Sequence, residues 1–290
     1  MSATKSPVPR KVTPPQLLIK KSHREKILCL TANDYPLARL LDEAGMDLLL
    51  VGDSLGMTRL GYDSTLPVTL EEMLIHLKAA RRAVKRALLV VDLPFGSYQV
   101  GVREAMNSAL TLVKDGGAEA VKLEGGRHYA RWIERLVGAG IPVMSHIGLL
   151  PQSLRVTGGY KIQGKTPESA DSLLEDALVL QRAGVFAVVL EGITQEAATA
   201  ITSALDIPTI GIGAGAGCDG QILVTEDLLG LGFTRRPQFA RQYINLNKVI
   251  LGAVQQFQED CLSGRFPAEE ESFHASPEAS LMPVGHHADR

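Results

Sequence analysis

The stretch Leu48-Leu49-Leu50-Val51-Gly52-Asp53-Ser54-Leu55-Gly56 decides the fold. Four consecutive apolar residues closed by a glycine read as a short strand buried on both faces, as in a parallel sheet. The run ends on an acid and a hydroxyl. The same order returns in Leu88-Leu89-Val90-Val91 before Asp92, in Ala120-Val121-Lys122-Leu123 before Glu124, and in Val188-Val189-Leu190 before Glu191. In a closed parallel barrel the C-terminal strand ends converge on one rim, where such folds place their chemistry.

Outward from these strands the chain alternates strand and helix without a break in composition. A first strand is predicted at 27–32, followed by Asn33-Asp34 and a helix over 36–45 that stops on a glycine. Residues 57–67 read as a rim loop, and Thr69 with Glu72 forms a capping box that opens a helix through Val84. Helices are expected over 102–115, 129–137, 171–183 and 197–205, with strands at 142–145, ending on His146, and at 208–212. Residues 149–167 read as a second long polar rim segment. An eighth strand within 222–229 reads equally well as a short helix, and an amphipathic helical pattern returns over 237–262. This order predicts one α/β domain, a (β/α)₈ TIM barrel over 27–266. An open doubly wound sheet would gather its polar groups at one switch point instead.

At 290 residues the chain suits a single barrel of this kind. A formal charge of −2 gives no reason to expect nucleic acid or an anionic membrane as partner. No apolar run approaches the roughly 20 residues of a membrane span. Three dispersed cysteines, Cys29, Cys218 and Cys261, argue for a reducing compartment, and the chain is expected in the cytoplasm. Residues 1–26 carry seven Lys or Arg against one Glu, with several prolines, and read as a mobile basic arm; residues 267–290 read as a loose tail.

Asp53, Asp92 and Glu124 on one rim would repel unless a cation or protons separated them. Hard oxygen ligands favour Mg²⁺ or Mn²⁺ over zinc; alternatively each acid caps a helix or meets a basic neighbour. Lys122 shares a strand face with Glu124 and can hold a substrate carboxylate, stabilise an enolate oxygen, or neutralise Glu124. His146 is a candidate oxyanion donor or proton shuttle, with a structural histidine as the alternative. Glu191, away from the other acids in sequence, is a candidate general base or a helix cap. Gly211-Ile212-Gly213-Ala214-Gly215 is similar to the anion cradle of phosphate-binding barrels, or lets an elongated ligand approach the backbone.

Together these motifs resemble the ketopantoate hydroxymethyltransferase family. The resemblance is carried by Leu50 through Met57, Asp63 through Thr69, Asp92-Leu93-Pro94-Phe95 and Val121 through Gly126. It continues in His146-Ile147-Gly148-Leu149 with Pro151-Gln152-Ser153, in Gly158 through Gly164, in Val189-Leu190-Glu191, in Ile210 through Gly215 and in Asp219 through Val224. The resemblance implies a barrel of the phosphoenolpyruvate/pyruvate type. It implies transfer of a hydroxymethyl group from 5,10-methylenetetrahydrofolate to 3-methyl-2-oxobutanoate, giving 2-dehydropantoate for pantothenate biosynthesis. It further implies Mg²⁺ held by Asp53, Asp92 and Glu124, keto-acid contacts from Asp53, Ser54, Asp92 and Lys122, and Glu191 as proton acceptor. A homodecamer, a pentamer of dimers, is also implied. Asn33 stands where an aromatic residue is expected. The alternative is a Mg²⁺-dependent carbon–carbon lyase or mutase of the same barrel group acting on another 2-keto acid; such lyases carry a reactive cysteine in a mobile loop, and none lies between Gly125 and Lys161. A non-catalytic barrel that binds a metabolite would need no base at Glu191.

Overall fold

The computed structural model describes residues 10–233 and 236–276. Its eight strands pair in chain order, each parallel to its neighbours, and close into a barrel: β1 Ile27–Thr31, β2 Leu48–Val51, β3 Leu88–Asp92, β4 Ala120–Glu124, β5 Val143–Gly148, β6 Ala187–Glu191, β7 Thr209–Ile212 and β8 Gly220–Leu223. The helices are α1 Pro14–Ser22, α2 Tyr35–Glu43, α3 Leu55–Thr58, α4 Leu70–Ala83, α5 Val102–Lys114, α6 Ala130–Gly138, α7 Leu154–Thr157, α8 Pro167–Arg182, α9 Gln195–Ala204, α10 Thr225–Leu229 and α11 Leu246–Leu262. The capping box read at Thr69 and Glu72 is present at the start of α4.

Alternation along each strand sorts the apolar residues into two cores. Ile27, Cys29, Leu48, Leu50, Leu88, Val90, Met144, Val189, Ile210 and Ile222 fill the barrel interior, whereas Leu49, Leu89, Val91, Val121 and Leu190 pack outward against the helices. The inward positions become polar toward the C-terminal ends: Leu88 and Val90 lead to Asp92, Ala120 to Lys122 and Glu124, Met144 to His146, and Ala187 and Val189 to Glu191. Distance along the axis therefore decides polarity, and all the rim groups named above lie at one end.

Three expectations require correction. First, residues 14–22 are no mobile arm: they form α1, and Val12 and Leu17 join the interior core. Three of the basic residues that suggested a free arm, Lys11, Lys20 and Lys21, are bound to acids. Lys20 and Arg86 share Asp47 at 2.5 and 3.2 Å, Lys21 reaches Asp219 at 2.9 Å, and Lys11 reaches Glu119 at 2.7 Å. Residues 1–9 lie outside the described residues, as do 277–290 of the expected tail. Second, the region 222–229 holds both readings in part, because β8 begins earlier, at Gly220, and α10 follows it. A Cβ at Gly220 would sit 2.6 Å from the carbonyl oxygen of Ile27, so only glycine lets β8 approach β1 and close the seam. Third, the chain forms two compact units, the first ending at Ile244 and the second beginning at Asn245, so the barrel unit ends before residue 266. Asn245 caps α11 by accepting from the Lys248 amide at 3.0 Å, which is why the helix starts there and not at Pro237.

Leu17 is fully buried beneath the interior core. Leu17→Ala is expected to lower unfolding free energy by about 2–5 kcal/mol, the usual cost of a cavity at a packed leucine. Chemical denaturation checks this; a loss below about 1 kcal/mol would mean that α1 does not seal the barrel.

Candidate active site

The C-terminal rim gathers Asp53, Ser54, Asp92, Lys122, Glu124, His146 and Glu191 around the barrel mouth. Lys122 donates to Asp92 Oδ1 at 2.7 Å, and the Asp53 amide donates to Asp92 Oδ2 at 3.1 Å. Asp92 and Lys122 are register partners across β3 and β4. A Cβ at Gly52 would lie 3.2 Å from Ser54 Oγ, a tight contact, and 3.4 Å from Asp92 Oδ2. His146, the register partner of Glu124 on β4, has Nδ1 3.5 Å from Glu124 Oε1 and Nε2 3.3 Å from Glu191 Oε2. These are ion-pair contacts without hydrogen-bond alignment, so both ring nitrogens, like Ser54 Oγ, are buried without a hydrogen-bond partner. Buried polar groups left in this state are the ones a ligand can satisfy.

The electrostatics follow from burial. Burial, with the charges of Asp92 and Glu124, pushes the Asp53 carboxyl well above the usual carboxylate range. At Glu124 burial acts in the same direction, but His146 and Lys122 outweigh it and hold the group below its usual value. Burial alone would discharge Lys122; Asp92, Glu124 and Asp53 overcome it and keep the ammonium charged. His146 is likewise opposed by burial, yet Glu124 and Glu191 push it up to about 9. Glu191 is the accessible acid of the set, with a side chain 17% exposed against 5% for Asp92 and 4% for Glu124.

The three acids expected to share a metal do not form a ready cage: among the described residues no group of three or more His, Cys, Asp or Glu side chains is arranged to hold an ion. The reason is visible in their partners, since Asp92 is spent on Lys122 and Asp53, while Glu124 and Asp53 each accept from Gln152. The donor set still fits a hard, partly hydrated cation. It offers only carboxylate oxygens, Mg²⁺ needs one or two of them directly, and a cation would relieve the repulsion that raises Asp53.

Sequence reasoning missed two contributors. Gln152, quoted only as part of a motif, and Tyr98 are both buried beneath the rim, where Tyr98 Oη lies 2.7 Å from Gln152 Oε1. Neither ends a strand, and no spacing in the chain points from residues 98 or 152 to the acids. Asn33 is buried with both amide atoms unpartnered, while its carbonyl oxygen meets His76 Nδ1 at 2.5 Å. Nearby, Arg59 joins Asp34 at 3.1 Å to Glu226 at 2.7 Å. The glycine run after β7 is filled by the protein itself: a Cβ at Gly213 would strike Phe239, and one at Gly215 would strike Gln195, each at 2.6 Å.

Comparison with known proteins places the chain in a family. The family model described as ketopantoate hydroxymethyltransferase matches residues 11–269. The 3-methyl-2-oxobutanoate hydroxymethyltransferase of Koribacter versatilis is 53% identical over 269 residues, covering 93% of this chain and 91% of that protein. The protein of the same name from Geobacter metallireducens is 53% identical over 253 residues, 87% of this chain and 95% of its own. Among solved structures, a putative phosphonomutase from Burkholderia cenocepacia superposes with a TM-score of 0.60 at 16% identity, covering 82% of this chain and 98% of that one. A phosphonopyruvate hydrolase in complex with oxalate and Mg²⁺ gives 0.57 at 13% identity over 90% and 93% of the two chains. A 2,3-dimethylmalate lyase of the PEP mutase/isocitrate lyase superfamily gives 0.55 at 15% over 91% and 90%. At such low identity these structures speak for the barrel fold alone, whereas the sequence relatives are similar over nearly their whole length. The chain belongs to the ketopantoate hydroxymethyltransferase family.

Proposed function

We propose that this barrel carries out its family's hydroxymethyl transfer to 3-methyl-2-oxobutanoate by taking a proton from C3 of the keto acid with Glu191. The observation that carries the reading is the combination of position and exposure at Glu191. It lies at the inward end of β6, 3.3 Å from His146, and it alone among the rim acids leaves a substantial surface for a substrate. The product is 2-dehydropantoate, the donor is 5,10-methylenetetrahydrofolate, and the pathway is pantothenate biosynthesis.

The divalent cation, Mg²⁺ in our reading, would be held by Asp53, Asp92 and Glu124, with one or two direct ligands and the rest through water. When bound it supplies Lewis-acid polarisation of the keto acid's carboxylate and keto oxygens. The chain's own groups do the remaining work. Ser54 Oγ, buried and unpartnered, donates to the substrate carboxylate. Lys122 stays charged and offsets the negative charge that develops when the C3 proton leaves. One water releases the methylene unit from both folate nitrogens at the formaldehyde level, and tetrahydrofolate leaves. The carbanionic carbon adds to that one-carbon unit, whose oxygen takes a proton to become the new hydroxyl. His146 holds Glu191 on one side and Glu124 on the other, which fixes the base and keeps a donor beside the developing oxyanion.

The cytoplasmic placement is supported by three free cysteines, two of them buried, among the described residues. No helix among those residues is long and apolar enough to cross a membrane. The homodecameric reading is supported by the exposed apolar side chains of α11, among them Ile250, Leu251, Val254 and Phe257; sedimentation velocity distinguishes a decamer from smaller species.

Glu191→Gln keeps the shape and removes the base. Turnover is expected to fall roughly 10²- to 10⁴-fold, with the keto-acid affinity changed by no more than about threefold. Cation-dependent exchange of the C3 hydrogen into D₂O should disappear in parallel, and exchange at the wild-type rate would remove Glu191 from this role. A second expectation concerns charge in the metal-free protein. His146 should remain an imidazolium through neutral pH and titrate near pH 9, against an ordinary 6.5. Its folded value is raised, so its contribution to stability is complete below about pH 6.5 and is lost as pH climbs through about 9. An NMR titration of the ring checks this, and a midpoint at or below 6.5 would contradict the two-carboxylate environment. Asp92→Asn, which keeps a partner for Lys122, is expected to raise the Mg²⁺ concentration needed for half-maximal activity at least about tenfold; an unchanged requirement would take Asp92 out of the metal site.

A further inference from the structure

Beyond β5 the chain turns back over the barrel mouth, and Pro151–Ser153 make a single 3₁₀ turn. That turn carries Gln152 inward until it is 6% exposed. Its backbone amide donates to Glu124 Oε2 at 3.0 Å, and its side-chain Nε2 donates to Asp53 Oδ2 at 2.8 Å and to the Leu93 carbonyl at 3.0 Å. Its Oε1 accepts from Tyr98 Oη at 2.7 Å and from Gln99 Nε2 at 3.1 Å. Both amide protons and both lone pairs of the side chain are therefore used. One residue ties together the ends of β2, β3 and β4.

We propose that Gln152 is a positioning residue whose side-chain amide fixes the orientation of the Asp53 carboxylate to receive the divalent cation, while the main-chain N–H at the same position holds Glu124; the inference rests on the metal reading given above. The chemistry of the group matters as much as its place. Lys122 already neutralises Asp92, and a second buried cation at position 152 would pair with Asp53 and compete with the metal. A neutral side-chain amide orients the Asp53 carboxylate through a hydrogen bond and leaves its charge available. The amide must also face the correct way. Turned over, Oε1 would oppose the Asp53 carboxylate and the Leu93 carbonyl, an arrangement of acceptors against acceptors. Tyr98 supports the observed orientation by offering Oε1 a donor. Its Oη lies between Gln152 Oε1 and the Glu124 carbonyl, 3.1 Å away, and burial pushes the phenol pKa so far up that the proton stays on oxygen. The orientation thus runs from Tyr98 through the amide to Asp53.

The test measures Mg²⁺ affinity directly, by calorimetry on the metal-free full chain without substrate, for the wild type, Gln152→Ala and Tyr98→Phe. Groups that orient metal ligands typically change affinity about 10- to 100-fold when removed. That range is expected for Gln152→Ala, with roughly tenfold for Tyr98→Phe, and saturating Mg²⁺ should return the turnover of both variants to within about threefold of wild type. A residue that only packs the loop would lower the melting temperature and leave the affinity unchanged, and that result in a folded Gln152→Ala protein overturns the inference alone. Should Gln152→Ala fail to fold, Tyr98→Phe decides, and unchanged affinity there overturns it equally. A wild type that binds no Mg²⁺ overturns the metal reading and this inference with it.

Discussion

The 2.7 Å ion pair between Lys122 and Asp92, placed inside a closed barrel, is the interaction from which the rest of the site follows. Removing two charges from water costs several kcal/mol each, and their mutual attraction offsets this only when the geometry is good and the other lone pairs are occupied. The barrel meets both requirements. Adjacent parallel strands bring residues 92 and 122 into register, and the Asp53 amide takes the second oxygen of Asp92. Once Lys122 is held charged, the surrounding acids share a fixed positive centre, and further carboxylates can gather near it without all becoming neutral.

The remaining acids divide according to what answers them. Glu124 meets His146 and stays ionised, whereas Asp53 meets only neutral donors and resists ionisation. Glu191 shares His146 but faces outward enough to meet a substrate. One imidazole therefore connects a buried acid to a more exposed one. The separation of roles arises from environment, since the side chains differ little in chemistry.

Much of this was legible in the chain before any coordinates. Runs such as Leu48–Val51 followed by Asp53 could be read because the inward positions of a barrel strand turn from apolar to polar along its length, and a one-dimensional pattern records that turn. The capping box at Thr69 was readable for the same reason, being a local interaction. Gln152 and Tyr98 were not, because their partners lie on other strands and nothing in the sequence signals an amide crossing the mouth. The rim acids were readable in their positions but not in their partners: Lys122 and Gln152 meet oxygens of Asp92, Asp53 and Glu124 that a list of acids leaves free. The basic segment before β1 misled for a physical reason, since a lysine such as Lys21, paired with an acid nearly two hundred residues away, looks the same in sequence as a lysine in solvent.

The floor of the barrel carries a consequence for how the chain is made. Lys21 is anchored by Asp219 and the Thr202 carbonyl, and Lys26 by the carbonyls of Ala216 and Cys218. Helix α1, made before every strand of the barrel, must therefore wait for nearly the last part of the barrel before these anchors exist. At common rates of synthesis that delay is on the order of ten to forty seconds. Seating the helix and closing the β1–β8 seam become a single late event, because Ile27 and Gly220 meet at the same end of the barrel. A chain that lacks its final strand loses its floor together with its wall.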